Sequence, residues 1–156
     1  MKLGDVLKKE REKKGTSLDD MASALGISSD EYQTMEAGES DAETWGPVLA
    51  QIAIELETPT SRLLAESGRS ADCKAGQAGA LIKGHRDRRE KSADQMVEAL
   101  TTFGVDTEGY TAIEAGTSGI EVMGPRFLAF AEAIEQPVFN LFYPCGLPFQ
   151  ELDDYP

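Results

Sequence analysis

Few side chains in this chain have a type and spacing that could carry covalent chemistry. The lone histidine, His85, falls in the run HRDRRE, with no nucleophile or metal-ligand cluster near it, and is expected on a solvated helix. Cys73 and Cys145 have neither metal-ligand spacing nor the pattern of a disulfide framework, and Cys145 has no basic neighbour in sequence to activate it. No catalytic residue, cofactor or metal site is expected, and no enzyme. What remains is hydrogen-bonding chemistry. Ser28, Ser29, Gln33 and Thr34 in one stretch, and Thr107 and Thr111 in another, carry side-chain donors that a bound partner could use.

The elements that must position these donors follow from periodicity and capping signals. Leu3 to Lys14 reads as a charged amphipathic helix stopped by Gly15. Ser17 and Asp20 read as a capping box for a helix carrying Met21, Ala22 and Leu25. After Gly26-Ile27, Ser28 and Glu31 repeat that signature for a third helix, Ser29 to about Ala37, with Tyr32 and Met35 facing inward. Pro47 suits the first turn of a fourth helix bearing Val48, Leu49, Ile52 and Leu56. Thr58-Pro59 reads as the start of a fifth, carrying Leu63 and Leu64.

The same unit recurs. Leu7 through Leu25 match Ile82 through Leu100 at an offset of 75, and from Gly26/Gly104 onward the offset is 78, because Thr101-Thr102-Phe103 lengthens the second copy. Gly46-Pro47 matches Gly124-Pro125, and Glu57-Thr58-Pro59 matches Glu135-Gln136-Pro137. Punctuation kept at a fixed offset across five helices is the mark of a duplication. The expected architecture is all-α: a first domain over 1–66, a linker over 67–77, a second domain over 78–145 and a tail over 146–156. The linker is small, polar and aperiodic, and its eleven residues reach at most about 38 Å. That length lets two units sit on successive major-groove faces about 34 Å apart, and it equally lets them pack on each other.

Two short helices joined at a Gly-hydrophobic turn make a helix-turn-helix, and here the details resemble the Cro and phage-repressor type, the XRE family. Arg11-Glu-Lys-Lys-Gly15, Ser17 through Met21-Ala22, Gly26-Ile27-Ser28 and Glu36-Ala-Gly38 carry the resemblance in the first copy. Ser92, Met96, Gly104-Val105 and Glu114-Ala-Gly116 keep it in the second, with Val97 in place of the small alanine. The resemblance implies two tandem five-helix domains, a DNA-binding regulator of transcription, and structural ion pairs Arg11–Glu36 and Arg86–Glu114.

Charge runs against that implication. The net charge is −13, opposite to the basic footprint of a nucleic-acid binder. Gly15 to Ser61 contains no Lys or Arg against ten carboxylates, and Ser92 to Pro156 contains one base, Arg126, against eleven. The other bases cluster in the two first helices and the linker. Asp30 and Glu31 flank the donors of the first reading helix, and Asp106 and Glu108 those of the second; Gly109 inside the latter costs about 1 kcal/mol of helix propensity.

Two readings follow. One is a tandem DNA-binding regulator, an intrachain pseudo-dimer with DNA as partner. The alternative is an acidic adaptor that keeps the fold, or a DNA mimic, and presents the acidic faces to a basic protein partner. The tail, with Phe149, Leu152 and Tyr155 among acids, is expected to lie over the second core or to mediate a homodimer. No signal-peptide or membrane-length apolar run occurs, so a cytoplasmic protein with no membrane partner is expected.

Overall fold

Side-chain oxygens set most of the helix starts. The computed structural model describes residues 2–67, 69–136 and 138–142; the sequence expectations for the tail and for Cys145 lie outside them. Following α1 (Leu3–Lys14), which ends on Gly15 at φ 75°, Ser17 Oγ accepts the Asp20 N–H to begin α2 (Leu18–Leu25). The Asp20 carboxylate does not return to the Ser17 N–H, so only half the expected box forms; Asp is one methylene shorter than the Glu of a full box. Ser28 Oγ accepts the Glu31 N–H and the Glu31 carboxylate accepts the Ser28 N–H, a complete box opening α3 (Ser29–Glu36).

The longer α4 (Ala42–Glu55) begins upstream of the expected proline start. Ser40 Oγ accepts the Ala42 N–H, so Pro47 lies inside the helix and not at its opening. A proline there removes one intrahelical bond, a cost the packing of α4 outweighs. The short α5 (Thr60–Leu64) has Pro59 at its N-cap, and Thr58, expected as the cap, instead donates its hydroxyl to the Leu56 carbonyl.

The second copy repeats this plan. It comprises α6 (Ala78–Arg88), α7 (Ala93–Leu100), α8 (Thr107–Ala115), α9 (Ile120–Ile134) and α10 (Phe139–Phe142). The extra Thr101–Phe103 forms a 3-10 turn between α7 and Gly104. Gly109 takes the Asp106 cap through its N–H, so it belongs to the first turn of α8, where the propensity cost expected for an interior glycine is smaller. Among the described residues every regular element is helical and no strand occurs.

The two copies pack on each other, and they do so by exchange. Within each copy the first helix packs on the third, α1 on α3 and α6 on α8. The second helix of each copy leans on the long helix of the other, α2 on α9 and α7 on α4, while α5 packs on α6 and α10 on α1. The long helices α4 and α9 touch at the centre. Leu49, Ile52, Phe127 and Phe130 from these two helices are all buried, and the core is one cluster that runs through both copies. The Tyr32 ring of α3 stacks on Phe130 of α9 with centroids 6.5 Å apart. Trp45 lies against Gly119, the residue preceding α9. The linker contributes too, since its 3-10 turn, Ser70–Asp72, packs on α9.

Polar contacts follow the same repeat. Glu43 accepts the N–H groups of Leu3 and Gly4, and Glu121 accepts that of Gly79, so a carboxylate from each long helix satisfies orphan donors at the start of α1 or α6. Those starts abut the ends of α3 and α8. A side chain at Gly4 would collide with the Met35 carbonyl, and one at Gly79 with the Ile113 carbonyl.

Candidate functional site

The expected reading helices are held from behind by arginine. Arg11 Nε donates to Glu36 Oε2 at 2.6 Å, Nη2 to Oε1 at 3.2 Å, and Nη1 to the Thr16 carbonyl at 2.9 Å. Arg86 repeats all three contacts, on Glu114 at 2.6 and 3.0 Å and on the Lys91 carbonyl at 2.9 Å. A carboxylate at a helix C-terminus opposes the macrodipole, and the guanidinium fork reverses that penalty. Burial works against the Glu114 carboxylate, and Arg86 outweighs it, leaving its pKa below the usual range. The Tyr32 and Tyr110 hydroxyls are buried beside these pairs with no hydrogen-bond partner among the described residues. Burial first, and then the neighbouring carboxylates, push both phenols up, so they stay protonated.

The donors expected to face a ligand are less available than their types suggest. Ser28 is the exposed N-cap of α3, with its hydroxyl committed to Glu31. Ser29 donates its hydroxyl to Asp19 of α2. Thr34 donates back to the Asp30 carbonyl, and Thr111 to the Thr107 carbonyl. Gln33 and Thr107 are exposed with no side-chain hydrogen bond among the described residues. Around them Asp19, Asp20, Asp30 and Glu31 on one face, and Asp94, Glu98, Asp106 and Glu108 on the other, are all exposed. Backbone and side-chain bonds to Ser28, followed by the Arg126 charge, hold Glu31 below the usual carboxylate range, so it is ionised at neutral pH.

Arg126 was not among the sequence candidates. It projects from α9 onto α3, with Nη2 3.2 Å from Glu31 Oε2 and Nη1 against the Met35 sulfur. Its isolation as the one base after Ser92 was the available signal. For Asp19 the sequence carries no such signal: nothing in the spacing joins it to Ser29.

The bases of the first helices divide between two roles. Lys14 of α1 pairs with Glu135 at 3.0 Å, and its repeat-related counterpart Arg89 pairs with Glu57 at 3.1 Å, both across the seam between copies. Lys91 joins Glu55 at 3.2 Å. Lys8, Lys9 and Lys83 are exposed and make no ion pair among the described residues.

His85 is half-buried rather than fully solvated. Its Nε2 lies 2.9 Å from the Arg62 carbonyl and its Nδ1 3.0 Å from Arg88 Nη2. A guanidinium can only donate, so Nδ1 accepts and Nε2–H donates: the ring is the neutral Nε2–H tautomer. Burial first, and then the Glu121 charge, push the Cys73 thiol up to about 11, which leaves it protonated at neutral pH. Among the described residues no group of His, Cys, Asp and Glu is placed to hold a metal, and no helix is long and apolar enough to cross a membrane.

No protein-family model, curated protein or solved structure matches the chain. The arrangement itself offers two faces, one on α2 and α3 and one on α7 and α8, that are backed by Arg–Glu forks, strongly acidic, and poor in free donors. Such faces attract a cationic surface and repel phosphate.

Proposed function

We propose that the protein is an adaptor built as an intrachain pseudo-dimer of two five-helix, phage-repressor-like helix-turn-helix units. Its acidic helix-turn-helix faces would dock a basic protein partner, and it would not bind a DNA duplex on its own. The observation that carries this is the fate of the charges. Carboxylates ring α3 and α8, the serine and threonine donors are largely committed locally, and Lys14, Arg89 and Lys91 serve the seam. Phosphate neutralisation supplies nearly all non-specific affinity for nucleic acid, so faces without free cations lack that term.

The reading is tested by titrating the full chain with a Lys/Arg-rich helical peptide by calorimetry. Asp20→Asn combined with Asp30→Asn should weaken binding by about tenfold if these carboxylates meet the cations directly. Asp94→Asn with Glu108→Gln makes the same test on the second face. Affinity unchanged in both double variants would overturn the proposal.

One observation favours the second reading, a tandem DNA-binding regulator. Gln33 stands exposed on α3 with its amide unengaged, and an amide there can make a bidentate contact to adenine. Lys8, Lys9 and Lys83 would then be the phosphate contacts. Under this reading Gln33→Ala lowers sequence preference, whereas under the adaptor reading it changes nothing measured with DNA.

A further inference from the structure

The duplication supplies an internal control for what the fold needs and what one copy has acquired. Where α5 packs on α6, a cleft of about 460 Å³ is lined by Arg62, Glu66, Ser67, Leu81, His85 and Arg88. The repeat-related positions on α1 and α10 hold different chemistry: Glu10 stands for His85, Lys13 for Arg88, Asn140 for Arg62 and Val6 for Leu81. In the first copy the cation is neutralised in place, since Lys13 and Glu10 lie 3.6 Å apart. In the second copy two arginines, Arg62 and Arg88, line the cleft together with Glu66, and no ion pair involves either arginine among the described residues. The packing of α5 on α6 therefore does not demand these cations.

We propose that this cleft is a binding site for a small phosphomonoester, with Arg62 and Arg88 as the phosphate ligands. Guanidinium forks match phosphate oxygens two at a time, which a lysine at the same place cannot do. His85 positions Arg88 by accepting from its Nη2, and is itself fixed by the Arg62 carbonyl. Leu81 gives the cleft an apolar wall, and Ser67 can donate a further hydrogen bond once its contact with Asp72 is exchanged. The volume is in the range of small-molecule sites, and a concave cleft suits a compact ligand better than the backbone of a duplex. The site is separate from the acidic helix-turn-helix faces and does not depend on their function.

Because His85 is the single histidine, its ring proton resonances report on the cleft without ambiguity. Burial, and then the charges of Arg88, Arg89 and Arg62, hold its pKa below the ordinary imidazole value, against the raising effect of the Arg62 carbonyl. A phosphate dianion between Arg62 and Arg88 would offset the arginine charges, so the His85 titration midpoint should move upward when the site fills.

The test is titration of the full chain with AMP, followed at His85 by NMR, with adenosine and a short mixed-sequence duplex as separate arms. A saturable shift with AMP and none with adenosine is expected. Arg62→Ala, at an exposed position with no side-chain bond among the described residues, should weaken AMP by at least about tenfold, as for loss of a charge-assisted hydrogen bond. No saturable shift up to about 10 mM, an equal response to adenosine, or an unchanged affinity in Arg62→Ala would each overturn the proposal. A response to the duplex alone would also overturn it, by placing the phosphate on nucleic acid.

Discussion

At the scale of single residues, the two Arg–Glu forks are nearly buried charge pairs whose loss stability should register. Arg86 and Glu114 side chains are each 13 % exposed, so neither charge can return to water when its partner is removed. Glu114→Ala should cost about 3 kcal/mol in urea unfolding, close to the range for breaking a buried pair. A loss under about 1 kcal/mol would place the pair among ordinary surface bridges. The same pair carries a pH signature. The folded Glu114 pKa lies below its unfolded value, so between the two the unfolded chain binds the extra proton and stability falls with acidity. Stability should be full above the unfolded value of about 4.3 and decline as pH drops through the folded one. Glu114→Gln should flatten that part of the profile in denaturation followed across acid pH. The types of the donors Ser28, Ser29, Thr34 and Thr111 were legible in the sequence, but their engagement was not. A hydroxyl's partner depends on a rotamer and on a neighbour such as Asp19, ten residues from Ser29.

At the scale of elements, the decisive contact is a close approach. The start of α6 meets the end of α8 at Gly79, where a methyl group would strike the Ile113 carbonyl. Gly79→Ala should lower stability by about 1–3 kcal/mol through overpacking. Gly84→Ala, on the same helix and with only the Arg88 side chain nearby, should raise stability by roughly 0.5–1 kcal/mol through helix propensity. Thermal unfolding of the two variants side by side checks both signs. The element bounds were largely written locally: Leu3 to Gly15 and Ser28 to Glu31 announce their own starts and stops. Pro47 misled because proline favours a first turn, whereas the Ser40 hydroxyl starts α4 further upstream.

At the scale of the whole molecule, the exchange between copies joins them through one buried core. Leu63 and Leu64 declare that α5 buries a face, but an amphipathic stripe does not say against what, and their cover turns out to include α6. That is why the partner of each helix was beyond the sequence. A protease site inserted after Gly76, in the exposed linker, should yield a nicked protein that still migrates as one species in gel filtration. Separation into two folded halves would show that the seam is dispensable. The same seam draws Lys14 and Arg89 onto carboxylates of the other copy, and so removes cations from any DNA-facing surface. The measurement that bears most directly on function is a titration of the intact chain against mixed-sequence duplex DNA from about 50 to 200 mM salt. No complex even at the lowest salt is the expected result. A complex whose affinity falls steeply with salt would contradict the adaptor reading and place Lys8, Lys9 and Lys83 on the phosphates.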